Sequence, residues 1–157
     1  MNKKAAVFWC LTLIIMATIF YFSSQTAVES TVVSMGFSER ILRALLSITN
    51  MTETEISAAV KAMDGPVRAL AHYSIFASLG TTCYLAVYFT KNMKNVYSVG
   101  ICTAYALFDE IHQIFVPGRS FQVSDILTDT AGVITGTLIV IMILAYIKNR
   151  QNKGRKN

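Results

Sequence analysis

The chain has 157 residues, of which 54% are hydrophobic and only 15% are charged, with a formal net charge of +5. Its mean hydropathy of +0.48 is high for a soluble domain, and a soluble domain would not usually carry so few charges. The composition therefore excludes an ordinary soluble domain, and the sequence contains no P-loop or dinucleotide-binding fingerprint.

Four apolar runs each have a length that can cross a bilayer as a helix, which is about 17 to 25 residues. They are residues 5–22, 69–89, 96–116 and 126–147. The first run resembles a signal peptide, but it is longer than the usual apolar core and no clean A-x-A site follows it, so we expect a retained helix. We predict an all-α membrane protein with one domain over residues 1–157, built as a bundle of four transmembrane helices.

Basic residues are distributed unevenly around these four spans. One side carries nine Lys and Arg residues and no acid, whereas the other side and its half-spans hold five Lys and Arg and all nine Asp and Glu. Cytoplasmic loops are rich in Lys and Arg, so we predict a multi-pass protein of the bacterial cell membrane with both termini, including the basic tail 148–157, in the cytoplasm. The positive charge then reflects orientation and attraction to anionic lipid, and no nucleic-acid partner is expected.

The one long loop, residues 26–67, is predicted to lie outside the cell and to contain two short amphipathic helices. Ser38 is expected to cap the first of them, and a Thr-x-x-Glu capping box at 52–55 is expected to begin the second. The Gly-Pro pair at 65–66 is expected to end it. Apolar residues at helical spacing then predict that both helices lie along the bilayer surface, above the outer ends of the spans.

The outer end of the third span is unusually polar. Asp109, Glu110, His112 and Gln113 fall within an arc of about 160° on a helix, and Asp109 lies about 10 Å below Val116. An ionisable side chain at the centre of a bilayer costs on the order of 3 kcal/mol, so such residues indicate a functional site. Asp109 must therefore be paired, protonated or in contact with water.

The turn after the third span is also polar. A Pro-Gly pair at 117–118 is expected to form the outer turn and to present Arg119 and Ser120. The fourth span then begins at Ser124 or Asp125, one of which is expected to be the helix N-cap.

The fourth span carries acids on the same face as its glycines. Asp125, Asp129, Gly132 and Gly136 share an arc of about 60°. A Gly-x-x-x-Gly pair allows the backbone of another helix to approach closely. Both carboxylates are therefore expected to face the bundle, away from lipid.

Two further polar groups are expected at the same level of the membrane. Arg68 and His72 share a face at the outer end of the second span, because residues four apart are neighbours on a helix. The Ser-Ser-Gln sequence at 23–25 ends the first span, where its side chains either cap the helix or face the polar cluster, and we expect capping.

These elements are predicted to converge in one polar pocket in the outer leaflet, open to the outside. We expect the side chains of His72, His112, Glu110 and Arg119 to lie within roughly 8 Å of one another, a distance that one water or ligand group bridges.

The motifs DEIHQ at 109–113, VPGR at 116–119 and SDILTDT at 124–130, with the glycine pair that follows, resemble the VanZ-like family of bacterial integral membrane proteins. The resemblance covers nearly the whole chain. The family is named for a member that raises resistance to the glycopeptide teicoplanin without the ligase route that rebuilds the D-Ala-D-Ala terminus. The resemblance implies a membrane fold, a role in the cell envelope and a hypothetical link to glycopeptide resistance.

The residues leave three interpretations of the polar cluster open. In the first it is structural, an internal ion-pair network, although two Arg residues face four acids and leave a deficit of positive charge. In the second it binds the head group of a lipid-linked envelope precursor, such as a polyprenyl phosphate, or of a phospholipid. The residues assigned to binding are Arg68, Gln113, Arg119, Ser120, Asp125 and Asp129.

In the third interpretation the chain is a membrane-embedded hydrolase or transferase. His72 or His112 would act as base or nucleophile, oriented by Asp109 or Glu110, with Arg stabilising developing charge. A divalent metal ion would relieve the excess negative charge, with Asp109, Asp125, Asp129 and a His as ligands. The sequence does not decide whether the protein is an enzyme, which cofactor it takes or whether it forms an oligomer.

Overall fold

The computed structural model describes residues 2–45, 52–91 and 93–154. Within these ranges the chain forms five α-helices and no strand, so the predicted all-α class is confirmed. The helices are α1 (Lys3–Ser23), α2 (Ala27–Leu45), α3 (Glu53–Phe89), α4 (Val96–Gln113) and α5 (Val123–Gly154).

Three of the described helices, α1, α3 and α5, are long and apolar enough to cross a membrane. They contain the predicted spans 5–22, 69–89 and 126–147. The predicted span 96–116 corresponds to α4, which has 18 residues and ends in a polar turn at Gln113. Because that turn makes α4 less apolar than the other three helices, the count of four spans stays a prediction.

The first half of the predicted loop forms one long helix. α2 begins at Ala27, eleven positions before Ser38, so the expectation that Ser38 caps a helix is wrong. Ser38 is fully buried inside α2, and its hydroxyl donates to the carbonyl of Ser34 at 2.8 Å. The hydroxyl is satisfied by the preceding turn of its own helix, which removes the need for a cap at this position.

The second half of the loop is continuous with a span. The capping box is confirmed, because the Thr52 side chain accepts from the Glu55 amide and the Glu55 side chain accepts from the Thr52 amide. The helix does not end at Gly65 or Pro66 but continues to Phe89. A proline inside a helix costs about 3 kcal/mol. Here α3 packs on α2 before the proline and on α5 after it, and these contacts outweigh that cost.

The structure contains a helical hairpin where two short surface helices were expected. α2 runs antiparallel to the first half of α3. The Ser34 hydroxyl donates a hydrogen bond to the Asp64 carboxylate, and Arg43 forms a salt bridge with Glu53 at 2.7 Å. The 37 residues of α3 extend for about 55 Å, which exceeds the hydrocarbon core of a bilayer of about 30 Å. The first half of α3 therefore extends past one end of the span.

The closest packing in the bundle joins α3 to α5. A Cβ atom at Gly132 would collide with the carbonyl oxygen of Tyr73, and one at Gly136 would collide with that of Ala77. Gly80 of α3 faces the backbone of Val133 in the same way. The expectation that the glycine pair admits a neighbouring backbone is confirmed, and α3 and α5 run parallel along this contact.

The core of the bundle is continuous with this contact and includes Phe76, Leu79 and Val133, which are fully buried. α1 packs on α3 at the far end of the bundle, where the Trp9 indole N–H donates to the Thr90 hydroxyl at 3.1 Å. This bond brings the start of α1 and the end of α3 to the same end of the molecule.

The turn between α4 and α5 follows the predicted Pro-Gly pair. The Arg119 amide donates to the carbonyl of Val116 at 3.1 Å, and Gly118 has a φ of 77°. This pattern is that of a type II turn, which needs a residue with positive φ in its third position and therefore favours glycine. The Ala27 amide donates to the carbonyl of Pro117 at 3.3 Å, so the same turn holds the start of α2.

Replacing Gly136 tests the contact between α3 and α5. Gly136→Ala introduces a Cβ atom that collides with the Ala77 carbonyl, so the helices must separate. We expect a loss of about 1 to 3 kcal/mol in stability, measured as a lower melting temperature of the purified protein in detergent.

Gly100→Ala is the matched control, since nothing lies within 4 Å of a Cβ atom built at Gly100 in α4. That change should leave stability unchanged or raise it by about 0.5 to 1 kcal/mol, because alanine is the better helix former. Equal effects of the two changes would contradict the proposed close contact.

Candidate functional site

Three side chains from three different helices meet at one end of the bundle. His72 of α3, Asp109 of α4 and Asp129 of α5 each have one side-chain N or O atom within 4.8 Å of the others. Both carboxylates are 0% exposed, whereas the His72 side chain keeps 24% of its surface exposed. His72 Nδ1 lies 3.5 Å from Asp129 Oδ1. We call these three residues the triad.

Asp109 is held through only one of its two oxygens. The Ser23 hydroxyl donates to Oδ2 at 2.8 Å, and the side-chain amide Nε2 of Gln113 donates to the same atom at 3.0 Å. Oδ1 is buried and has no hydrogen-bond partner among the residues that the structure describes. The expectation that Ser23 only caps α1 is wrong, because its side chain faces the polar cluster.

Asp129 is buried against α3 by the glycine contact. Gly132 lies one turn along α5 and packs on the backbone of Tyr73, the neighbour of His72 in sequence. This contact directs Asp129 into the bundle, as its position on the glycine face predicted. Within the described ranges, neither carboxylate oxygen of Asp129 has a hydrogen-bond partner.

Glu110 connects the end of α4 to the start of α5. Its Oε2 accepts from the backbone amide of Gln122 at 2.9 Å, while its Oε1 is buried with no partner in the described part of the chain. α5 begins at Val123, before both predicted capping residues, so neither Ser124 nor Asp125 is the N-cap. The Glu110 carboxylate satisfies an amide at this helix terminus instead, which a side chain on the preceding helix can do.

Asp125 lies in the first turn of α5 and is half-buried. The Ser124 hydroxyl donates to its Oδ1 at 3.2 Å. Asp125 is therefore near the triad without belonging to it, and it exerts an electrostatic effect on His72.

His112 faces α1, whereas His72 faces α5. The His112 ring stacks on Phe20 with centroids 4.5 Å apart, and its Nε2 lies 3.1 Å from the Ser24 hydroxyl. Both histidines interact electrostatically with Asp109. The structure thus gives the two histidines different partners, and a single pocket shared by both stays a prediction.

Arg119 lies above these acids in the turn between α4 and α5. It is half-buried, and its Nη2 donates to the carbonyl of Phe22 at 3.4 Å, while Nε and Nη1 have no partner in the described ranges. Burial lowers the pKa of Arg119, and the like charge of Arg68 also lowers it. The neighbouring carboxylates have the opposite effect on this pKa. Arg68 is half-buried, whereas Ser120 is exposed.

Two contacts of the site were not expected from the sequence. Phe20 is an ordinary apolar residue of α1, so nothing in the pattern identifies it as the partner of His112. Gln122 contributes its backbone amide and not its side chain, so the sequence does not indicate this contact.

The arrangement combines unpaired acceptors and unpaired donors at one end of the bundle. Among the residues that the structure describes, buried acceptor oxygens without partners lie on Asp109, Glu110 and Asp129, and buried donors without partners lie on Arg119. Carboxylates with an imidazole can hold a metal ion or act as a general base, and a guanidinium can bind an anion.

Comparison with known proteins gives a single family assignment. No curated protein and no solved structure matches the chain. The VanZ/LLP1 family model matches residues 8–145, which include every residue of the triad as well as Glu110, His112 and Arg119. The match extends over far more than half of the chain. The chain therefore belongs to the VanZ-LLP1 family, in agreement with the resemblance seen in its motifs.

Proposed function

We propose that this chain is a multi-pass membrane protein of the bacterial cell envelope that binds the polar head group of a lipid-linked envelope component. The observation that carries the proposal is the set of buried, unpartnered polar atoms of both charge signs at one end of the bundle. The binding site comprises the triad together with Glu110 and Arg119.

A purely structural cluster is a poor explanation for these atoms. Buried polar groups in folded proteins are nearly always hydrogen-bonded, and an unsatisfied one costs about 1 to 3 kcal/mol. An internal ion-pair network would place Arg119 on a carboxylate, but its one described hydrogen bond is to the Phe22 carbonyl. A ligand that carries both acceptor and donor groups would satisfy the acids and the guanidinium together.

Arg119 is suited to a phosphate group. Its Nε and Nη1 have no partner in the described part of the chain, and each carries N–H groups that form strong hydrogen bonds with the charged oxygens of a phosphate. Arg68 adds positive charge nearby, and the start of α5 contributes a favourable helix dipole. These features support a phosphorylated head group, such as that of a polyprenyl phosphate.

A groove adjoins the cluster on the side of α1 and α2. The groove has a volume of about 520 Å³, and it is lined by Tyr21 and three valines of α2 together with the polar residues Ser24, Gln25 and Glu29. Ser24 lines the same groove and contacts His112. A lipid chain in this groove would place its head group beside the polar residues.

The proposal requires the polar end of the bundle to lie at the outer leaflet. We assign α4 as a fourth span, because its acids face neighbouring helices. Its exposed residues, such as Phe108 and Ile111, are apolar and would contact lipid. The excess of Lys and Arg on one side of the spans supports a cytoplasmic location for both termini. The α2–α3 hairpin then extends outside the cell.

A second candidate function is a membrane-embedded hydrolase or transferase. The specific observation in its favour is the proximity of His72 to Asp129, since a carboxylate beside an imidazole orients it as a general base. Turnover of a bound lipid phosphate, measured as released phosphate or polyprenol, would distinguish this enzyme from a binding protein. The activity should be lost in His72→Gln.

Single cysteines test the orientation. In a chain whose three cysteines are replaced by serine, Ser120→Cys should react with a membrane-impermeant maleimide on intact cells, because Ser120 is exposed at the polar end. Asn149→Cys, exposed at the other end of α5, should react only after lysis. The reverse labelling pattern would contradict the proposed outer-leaflet site.

Lipid binding tests the role of Arg119. Purified protein in detergent should melt at a higher temperature with a polyprenyl phosphate, and the corresponding polyprenol, which lacks the phosphate, should have a smaller effect. Arg119→Gln should weaken phosphate-lipid binding by about tenfold or more, because hydrogen bonds to charged groups contribute about 1.5 to 3 kcal/mol.

Arg40→Gln is the control, since Arg40 is exposed on α2 and distant in sequence from the cluster. It should bind the phosphate lipid as the unchanged protein does. Equal binding of the phosphate and the alcohol, or equal effects of the two arginine changes, would refute head-group recognition.

Glycopeptide tolerance tests the link to resistance. Expression of the chain in a susceptible Gram-positive host should raise the teicoplanin concentration needed to stop growth, and Glu110→Gln should abolish the increase. If the role of Glu110 is functional, the melting temperature should be unchanged or higher, since functional groups are often unfavourable for stability. Glu39→Gln, at an exposed position of α2, is the control. A fall in melting temperature with retained tolerance would favour a structural role.

A further inference from the structure

We propose that the triad of His72, Asp109 and Asp129 is a binding site for one divalent transition-metal ion of the manganese or zinc type. This proposal goes beyond head-group binding, because it concerns the coordination of an ion and is tested with the ion alone. Three protein ligands with one position left open is the arrangement typical of a metal centre that also contacts substrate or water.

Three helices each contribute one candidate ligand to the proposed site. The three candidate ligand atoms lie within 4.8 Å of one another, a separation that a single ion can bridge. Both carboxylates are completely buried, and three of their four oxygens lack a hydrogen-bond partner in the part of the chain that the structure describes. These three oxygens belong to Asp109 and Asp129, which are two of the proposed ligands.

Neighbouring residues prepare Asp109 for a metal ion. Ser23 and Gln113 both donate to Oδ2, which fixes the carboxylate and leaves Oδ1 free. Hydrogen bonds of this kind to the second atom of a ligand are a regular feature of metal sites, where they orient the ligand. The close packing of Gly132 on Tyr73 fixes Asp129 relative to His72 in a similar way.

The charge of the triad also favours a divalent cation. Two ionised carboxylates beside a neutral imidazole carry two negative charges, which one divalent ion neutralises. Protonation of His72 would neutralise only one of them, and the other would stay buried at considerable cost. Asp125 and Glu110 are close but have other polar contacts, to Ser124 and to the Gln122 amide.

The ligand types indicate the class of ion. Imidazole nitrogen suits zinc, iron, nickel and copper, whereas carboxylate oxygen suits manganese, magnesium and calcium. One nitrogen with two carboxylates therefore favours a first-row ion such as Zn²⁺ or Mn²⁺ over Ca²⁺ or Mg²⁺, which prefer oxygen ligands. The partly exposed side of His72 provides the route by which the ion enters.

Metal titration of the full chain tests the site. Protein purified in detergent and stripped with a chelator is titrated with Zn²⁺, Mn²⁺, Mg²⁺ and Ca²⁺, and bound metal is measured by calorimetry and elemental analysis. We expect one Zn²⁺ or Mn²⁺ per chain and much weaker binding of Mg²⁺ and Ca²⁺. Failure of Zn²⁺ and Mn²⁺ to bind the unchanged protein would overturn the proposal without any variant.

Variants assign the binding to the triad. Asp129→Asn and His72→Gln should each weaken binding by at least about 100-fold, since even changes to supporting residues weaken metal sites by about 10- to 100-fold. Glu39→Gln is the control, because Glu39 is an exposed acid on α2 outside the polar cluster, and this variant should bind the ion normally. Equal losses in Glu39→Gln and Asp129→Asn would refute the assignment.

Two further variants keep the test decisive if a ligand change prevents folding. Ser23→Ala removes only a supporting hydrogen bond and should weaken binding by about tenfold or more. His72→Cys replaces imidazole with a thiolate and should shift selectivity from Mn²⁺ towards Zn²⁺. Binding unaffected by both changes would show that the ion lies elsewhere.

The outcome is separable from that of the head-group proposal. Titration uses ions without lipid, so the absence of metal binding leaves phosphate recognition by Arg119 intact. Arg119→Gln should in turn retain the metal ion, because Arg119 is not a member of the triad. Loss of metal in that variant would contradict the assignment of the ion to the triad alone.

Discussion

The close contact of α3 with α5 is the constraint on which the rest of the structure depends. Gly132 and Gly136 admit the backbone of α3 where no Cβ atom would fit, and the two helices run side by side through this contact. Asp129 lies one turn before Gly132, so the contact that orders the bundle also buries a carboxylate opposite His72. A larger residue at either glycine would separate the helices and the polar side chains together, which couples the stability of the bundle to the geometry of the site.

The polar cluster is ordered by contacts between different helices. α1 supplies Ser23 to Asp109, α4 supplies Glu110 to the start of α5, and the turn between α4 and α5 holds Arg119 above them. Each of these contacts satisfies one atom of a charged group and leaves another free. That pattern is typical of sites that are prearranged for a ligand, because a fixed side chain with a free atom needs no reorganisation when the ligand binds. A cluster with a purely structural role would be expected to satisfy all of its atoms.

The proposed metal ion and head group are compatible with one site. The ion would lie between the buried acids, and a phosphate would lie between the ion and Arg119, where opposite charges meet on both sides of the anion. Such an arrangement supports binding alone as well as phosphoryl or acyl transfer, because a metal ion stabilises charge on an oxygen whether or not a bond to it is broken. Catalysis with the ion bound would require a group outside the triad, such as Glu110, to move a proton as well, and turnover of a lipid phosphate is the observation that separates the two functions.

The sequence by itself determined the helical class, the family and the polar segments that form the site. Hydrophobic runs, the Thr52 capping box and the glycine spacing are local patterns, and local patterns are read directly from residues three or four positions apart. Only the tertiary structure decided that α3 continues through Pro66, since packing on α2 and α5 outweighs the local tendency of proline to end a helix. It also decided that Ser23 binds Asp109 and that the two histidines face different helices. These contacts join residues distant in sequence, and their partners depend on how each helix is rotated in the bundle, which no local pattern determines.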